Sequence, residues 1–212
     1  AENGRLLDSQ GRITLDTPEA LRALENYRET YSYSDRTIYD FWKNALEGFA
    51  DGTAAMTVVF INYASHILNS QMSRIAGKLG FAPVPGGKPL LGGGVIGIAQ
   101  SCTCPAAACK FLEWLYADLV APVFTMLGGL SPCRSAYSNR DISEQYPWLS
   151  TARKSFPTAQ RRSNSTYYQN FSELQLETIL AAHVQQAVLG VCSPEEALKQ
   201  AQEDCNRYFQ PW

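Results

Sequence analysis

Three groups of residues invite a chemical reading before any fold is considered. Cys102, Cys104 and Cys109 stand in a C-x-C-x4-C pattern, and closely spaced thiolates are a common start for a zinc site. Such a site needs a fourth donor, and the two histidines, His66 and His183, are far away in sequence. The pattern is therefore read as packed or free thiols. Gly92, Gly94 and Gly97 satisfy G-x-G-x-x-G, the fingerprint that brings a dinucleotide pyrophosphate to a helix N-terminus when it ends a strand and opens a helix. Here the glycines instead open the strand-like run 95–99, so a nucleotide is not assigned. His66 and His183 fall in helical patterns with no serine, cysteine or acid at a telling spacing. No nucleophile elbow, P-loop or metal-binding helix motif is present. No catalytic residue, cofactor or metal is assigned, and the expectation is a protein that is not an enzyme.

What remains is binding chemistry. Asn62 and Tyr63 follow the apolar run 54–60 and open a helical segment, and small-ligand sites in open α/β sheets lie beyond the carboxyl ends of strands. An amide that both donates and accepts suits a hydroxyl, and a phenol ring suits the apolar face of a small ring compound. The alternative is helix capping by Asn62 and packing by Tyr63. Gly92, Gly93 and Gly94 permit close approach of the backbone to a ligand or to a crossing chain, or form a purely structural turn. In the loop 161–168, Arg162 could hold hydroxyls or a carboxylate while Tyr167 and Tyr168 stack; an ordinary solvated loop is the other reading.

The elements that must position these groups follow from pattern. Thr17-Pro18-Glu19 is a helix start with a hydroxyl cap, proline at the first position and an early acid. Leu21, Leu24, Tyr27 and Tyr31 then recur at helical spacing. A second helix is expected over about 37–50, stopped by Gly52. Residues 54–60 and 95–99 read as strands covered on both faces, 81–84 as a further strand, and 62–77 as helix. Helical patterns continue at 106–116, 119–127 and 147–156, with a long helix ending at Gly190. Ser193-Pro194-Glu195-Glu196 is a capping box opening the last one. Trp42, Trp114 and Trp148 sit in apolar helical patterns and are expected in the core. Strands alternating with helices, then a helical block, indicate an α/β protein with a small, largely buried sheet.

Bulk composition narrows the partners. With Lys+Arg 18 against Asp+Glu 20, the formal net charge is -2, which lacks the basic field that a phosphate backbone demands; no nucleic acid is expected. The most apolar region, 111–127, is broken by Glu113, Asp118 and Pro122, well short of the roughly 20 residues of a membrane span. The start of the sequence has no leader pattern. Six cysteines with no evident pairing scheme favour a reducing compartment over a secreted one.

Four stretches, in order, resemble the second half of the family 1 extracellular solute-binding proteins, the group that includes maltose-binding protein. They are Asp16-Thr17-Pro18-Glu19-Ala20-Leu21; Phe49-Ala50-Asp51-Gly52-Thr53-Ala54-Ala55-Met56; Gly92-Gly93-Gly94-Val95-Ile96-Gly97-Ile98 followed by the A-x-x-F-L-x-W-L helix of 107–115; and Leu189-Gly190 with Ser193-Pro194-Glu195-Glu196-Ala197-Leu198. The resemblance implies a periplasmic binding protein-like II fold, here its C-terminal portion with a small buried sheet and helical C-terminal block. Residues 1–212 would then be one lobe plus hinge-crossing helices, with the N-terminal lobe upstream and absent from this chain. It further implies a carbohydrate ligand, a mono- or oligosaccharide, held by hinged lobe closure at Asn62, Tyr63, the 92–94 turn and the loop bearing Arg162, Tyr167 and Tyr168. The implied partner is a membrane permease of an ABC transporter, and the implied location is the extracellular face of the membrane or the periplasm. The alternative is a cytoplasmic ligand-sensing domain of the same fold, fused to a DNA-binding or signalling module. Dimerisation through the exposed half-core is a further expectation.

Overall fold

The computed structural model describes residues 4–34, 42–129, 131–160 and 173–209. In chain order the described helices are α1 (Pro18–Ser32), α2 (Trp42–Ala50), α3 (Ala64–Leu68), α4 (Pro105–Leu115), α5 (Ala121–Met126), α6 (Ser135–Ser138), α7 (Arg140–Gln145), α8 (Pro147–Ser155), α9 (Glu173–Val188) and α10 (Pro194–Tyr208). Two compact units share them: one from residues 1–37 and 163–212, the other from 38–162.

In the first unit the helix ends form where local chemistry demands. The Thr17 hydroxyl accepts from the backbone N–H of Ala20 at 3.2 Å, and Pro18 occupies the first turn. The Ser193 hydroxyl accepts from the N–H of Glu196 at 3.1 Å, with Pro194 next in line. Each cap satisfies a donor that the helix leaves orphaned. Between them α9 stops before Gly190, whose φ of 76° is costly for any residue with a Cβ. Leu24, Ala187, Ala197 and Leu198 form one buried cluster among α1, α9 and α10; Ile13, Leu15, Leu176, Ala201 and Cys205 form another. The N-terminal stretch is fastened to α10 by one side chain. Gln202 accepts from the N–H of Leu15 at 2.6 Å and donates to the carbonyl of Ile13 at 3.0 Å.

The second unit has a core of Ala64, Ala121, Ala136, Tyr137, Trp148, Leu149 and Ala152. A smaller cluster, Leu46, Ala50 and Ile67, is flanked by Phe49, Val59 and Tyr63. Buried polar groups are satisfied locally: Tyr137 donates its hydroxyl to the Ser131 carbonyl at 2.9 Å, and Thr125 donates to the Ala121 carbonyl at 2.9 Å. The indole N–H of Trp148 has no partner among the described residues.

Several expectations are corrected. The helix expected over 62–77 is a 3-10 turn, Ile61–Tyr63, running into the five-residue α3, after which the chain turns through 69–77. Asn69 ends it, because its side-chain oxygen accepts from the N–H of Gln71 at 2.9 Å and offers the backbone a local alternative to helix. α6 and α7 were not expected; they are short, and α7 is capped by Asn139, whose side chain accepts from the N–H of Ile142. Trp148 is buried as expected, whereas Trp114 is 57% exposed and stacks on Phe111 with ring centroids 5.8 Å apart. The side chain of Trp42 lies outside the described residues.

No strand ladder forms among the described residues. Two isolated bridges are present, Leu7 to Ile13 antiparallel and Leu90 to Gln160 parallel. Residues 54–60, 81–84 and 95–99, read above as strands, lack sheet partners, and the first and last of these runs are not covered on both faces: Met56 is 87% exposed, Val58 74%, and Val95 fully exposed. An apolar, β-branched run signals that a segment is meant to be covered, but carries no information on what covers it.

Candidate functional site

The site predicted from sequence centres on the turn after residue 60. Phe60 is extended (φ -66°, ψ 145°), and its carbonyl accepts from the N–H of Tyr63 at 3.0 Å, closing the 3-10 turn. The Asn62 carbonyl accepts from the Ser65 hydroxyl at 3.4 Å. The side-chain amide of Asn62 makes no hydrogen bond among the described residues and remains partly exposed. It is not a helix cap, so that alternative fails for Asn62. Tyr63 packs beside Leu46, Ala50 and Ile67, and the packing role read for it holds. Turn and helix together offer an unengaged amide held rigidly by a buried neighbour.

Two glycines approach this turn. A Cβ on Gly92 would lie 3.2 Å from the Phe60 ring, which places the head of the glycine run against the residue two positions before Asn62. A Cβ on Gly128 would overlap the Ser65 hydroxyl and lie 3.5 Å from the Asn62 carbonyl, and its φ of 97° is a conformation suited to glycine. Gly128 was missed in the sequence; its signal is the Gly128-Gly129 pair directly after α5, a helix stop that also seats α5 against the turn. Gly93 and Gly94 meet nothing within 4 Å. They leave their backbone bare to solvent, and neither has positive φ.

The start of the predicted aromatic loop is also located. The Gln160 N–H donates to the Pro89 carbonyl at 2.8 Å, and the Leu91 N–H donates to the Gln160 carbonyl at 2.7 Å. Gln160 is thereby fastened immediately before the glycine run, a long-range pairing for which the sequence holds no local signal. Arg162, Tyr167 and Tyr168 lie outside the described residues.

Other groups with chemical potential are otherwise engaged. His183 was read as lacking an acid partner; its Nε2 lies 2.9 Å from Asp204 Oδ2, across α9 and α10, and Asp204 also meets Arg207 at 3.3 Å. The partner was invisible because it lies 21 residues on, on a different helix. His183 Nδ1 is buried without a partner among the described residues. All six cysteines are free. No group of three or more His, Cys, Asp or Glu side chains among the described residues is placed to hold a metal. A depression of about 590 Å³ in the first unit is lined by Glu25, Arg28, Glu29, Ser193, Pro194 and Glu195. Its carboxylates outnumber its one cation and its serine hydroxyl already caps α10, so it offers little to a neutral ligand.

Solved structures share this fold. T. maritima MalE3 with bound maltose superimposes with a TM-score of 0.78 at 23% identity, the match covering 98% of this chain and 55% of that one. A solute-binding protein from Agrobacterium radiobacter K84 in complex with ribitol gives 0.69 at 24% identity, covering 97% and 53%. One from Agrobacterium vitis S4 with bound D-mannitol gives 0.70 at 21%, covering 98% and 55%. The architecture is thus that of a periplasmic binding protein, and the chain spans about half the length of the solved structures it matches. No described helix is long and apolar enough to cross a membrane. Residues 3–151 match the sequence family described as bacterial extracellular solute-binding protein, and the chain belongs to that family.

Proposed function

We propose that this chain is the C-terminal half, one lobe plus hinge-crossing helices, of the substrate-binding component of an ABC transporter for a carbohydrate or polyol. The observation that carries the reading is the family match over residues 3–151. The ligand class is supported by the maltose, ribitol and D-mannitol held by the three similar structures. Hydroxyl-rich ligands of this kind need amides and aromatic faces more than charges, and the Asn62 amide, which is without a partner among the described residues, beside bare Gly93 and Gly94 backbone, fits that need. Arg162, Tyr167 and Tyr168 would complete the wall, which would bind without chemistry. Closure of a second lobe over the ligand, by contacts made better in the closed state, would present the protein to a permease outside the cytoplasmic membrane. The expected small sheet belongs to this reading, completed by the missing lobe.

Titration calorimetry with maltose, D-mannitol and ribitol tests it. The 212-residue chain alone should bind at least a hundredfold more weakly than the two-lobed protein, because half of the contacts are missing. In the two-lobed protein Asn62→Ala should weaken binding about tenfold, the worth of one hydrogen bond of ~1–1.5 kcal/mol. Equal affinity in chain and two-lobed protein sinks the divided site; unchanged affinity in the variant sinks the role of Asn62.

A second reading is favoured by one observation: six free cysteines suit a reducing compartment. A cytoplasmic sensor of the same fold would carry a DNA-binding or signalling module upstream, and the gene sequence preceding residue 1 discriminates between the two.

A further inference from the structure

Within the 38–162 unit, three consecutive stretches are built as interior and left uncovered. Residues 56–60 are extended and apolar, with Met56, Val58 and Phe60 exposed. Residues 90–98 follow the same pattern, with Leu90, Val95, Ile96 and Ile98 exposed. Helix α4, Pro-Ala-Ala-Ala-Cys-Lys-Phe-Leu-Glu-Trp-Leu, is mostly apolar over eleven residues, yet none of its residues is buried. Phe111 and Trp114 stack on one another in the open.

The backbone tells the same story. Among the described residues, no backbone hydrogen bond engages residues 55–59 or 93–98. Extended segments with free N–H and C=O groups and apolar side chains are templates for strand addition. The two segments approach each other where Phe60 meets Gly92. A helix with so many apolar residues and none of them buried is stable only with something packed on it.

We infer that residues 55–60, 93–98 and α4 form the docking surface for the remaining part of the solute-binding fold, which adds strands beside the two extended segments and covers the Phe111–Trp114 pair. The occupant follows from length: the matched structures are covered over 98% of this chain but only 53–55% of their own, so nearly half of such a fold lies outside these 212 residues. The inference rests on the proposed two-lobed reading and names the surface where its missing part attaches.

The test is hydrogen–deuterium exchange on the whole 212-residue chain, alone and mixed with the polypeptide encoded by the coding DNA that precedes residue 1. Alone, amides of 55–59 and 93–98 should exchange within the dead time. In the mixture they should become protected by at least a hundredfold at 1:1 stoichiometry. Val58→Asp and Val95→Asp should each weaken association at least tenfold with the circular dichroism of the isolated chain unchanged, since both side chains are exposed there.

Association without protection of these amides overturns the inference, as does the absence of association. Protection in the chain alone, with a dimeric mass by light scattering, assigns the surface to a second copy and equally overturns it. Preceding DNA that encodes no solute-binding sequence does so too. Ligand binding is read separately: protection without affinity for any sugar or polyol leaves the docking surface standing and sinks the transport reading, whereas affinity without protection does the reverse.

Discussion

Gly128→Ala is the most informative single perturbation of the candidate site, because it presses on the turn bearing Asn62 without touching the amide. Two costs can be separated. At a φ of 97° the added Cβ meets its own backbone, at roughly 1–2 kcal/mol. The same Cβ overlaps the Ser65 hydroxyl, which must rotate away and surrender its 3.4 Å bond to the Asn62 carbonyl, worth about 0.5–1 kcal/mol. The total is about 2–3 kcal/mol, read as a lower urea midpoint at unchanged slope. Ser65→Ala alone should cost only about 0.5–1 kcal/mol, and the double variant should be more stable than the sum predicts by about that amount, because the overlap has gone. Strict additivity would refute the steric account, and a Gly128→Ala protein as stable as the wild type would refute the conformational one.

Two further outcomes are expected. His183→Ala and Asp204→Asn should each destabilise by about 1–2 kcal/mol, and a double-variant cycle in urea should return a favourable coupling near 1 kcal/mol, since the 2.9 Å contact joins α9 to α10; zero coupling would mean that packing alone holds the pair. Burial, with a smaller contribution from the neighbouring Asp204 charge, pushes the Cys205 thiol up from 9.0 to about 11. The unfolded chain therefore releases this proton first, so Cys205 leaves stability untouched below the ordinary thiol range and lowers it as pH rises from about 9 toward 11. Urea midpoints across that window should fall, and Cys205→Ala should flatten the fall; an unchanged slope would contradict the assignment.

Much of the fold was legible where the information is local. Thr17-Pro18, Ser193-Pro194, Gly52 and Gly190 mark helix ends because capping and φ preference are decided within a few residues. The candidate turn was also found, since Asn62 sits where an extended run gives way to helix. What was not legible depends on distant partners. Residues 54–60 read as a buried strand, yet burial needs a neighbour that no periodicity names. Trp114 follows the same apolar pattern as Trp148, and only tertiary packing separates the exposed one from the buried one. Asp204 opposite His183, and Gln160 opposite Leu90, are decided by how elements meet.

The Leu90–Gln160 bridge closes a circuit of about 70 residues with two backbone bonds. Chain-closure entropy makes that about 1.7 kcal/mol dearer than a ten-residue turn, comparable to what the two bonds return at roughly 1 kcal/mol each. Such a clasp cannot hold itself shut; it stays fastened only while the cores between its ends are intact. Loosening anywhere in that circuit should release the stem of the 161–168 loop first, so the most distant packing defects in this unit would be felt at the mouth before they are felt where they arise.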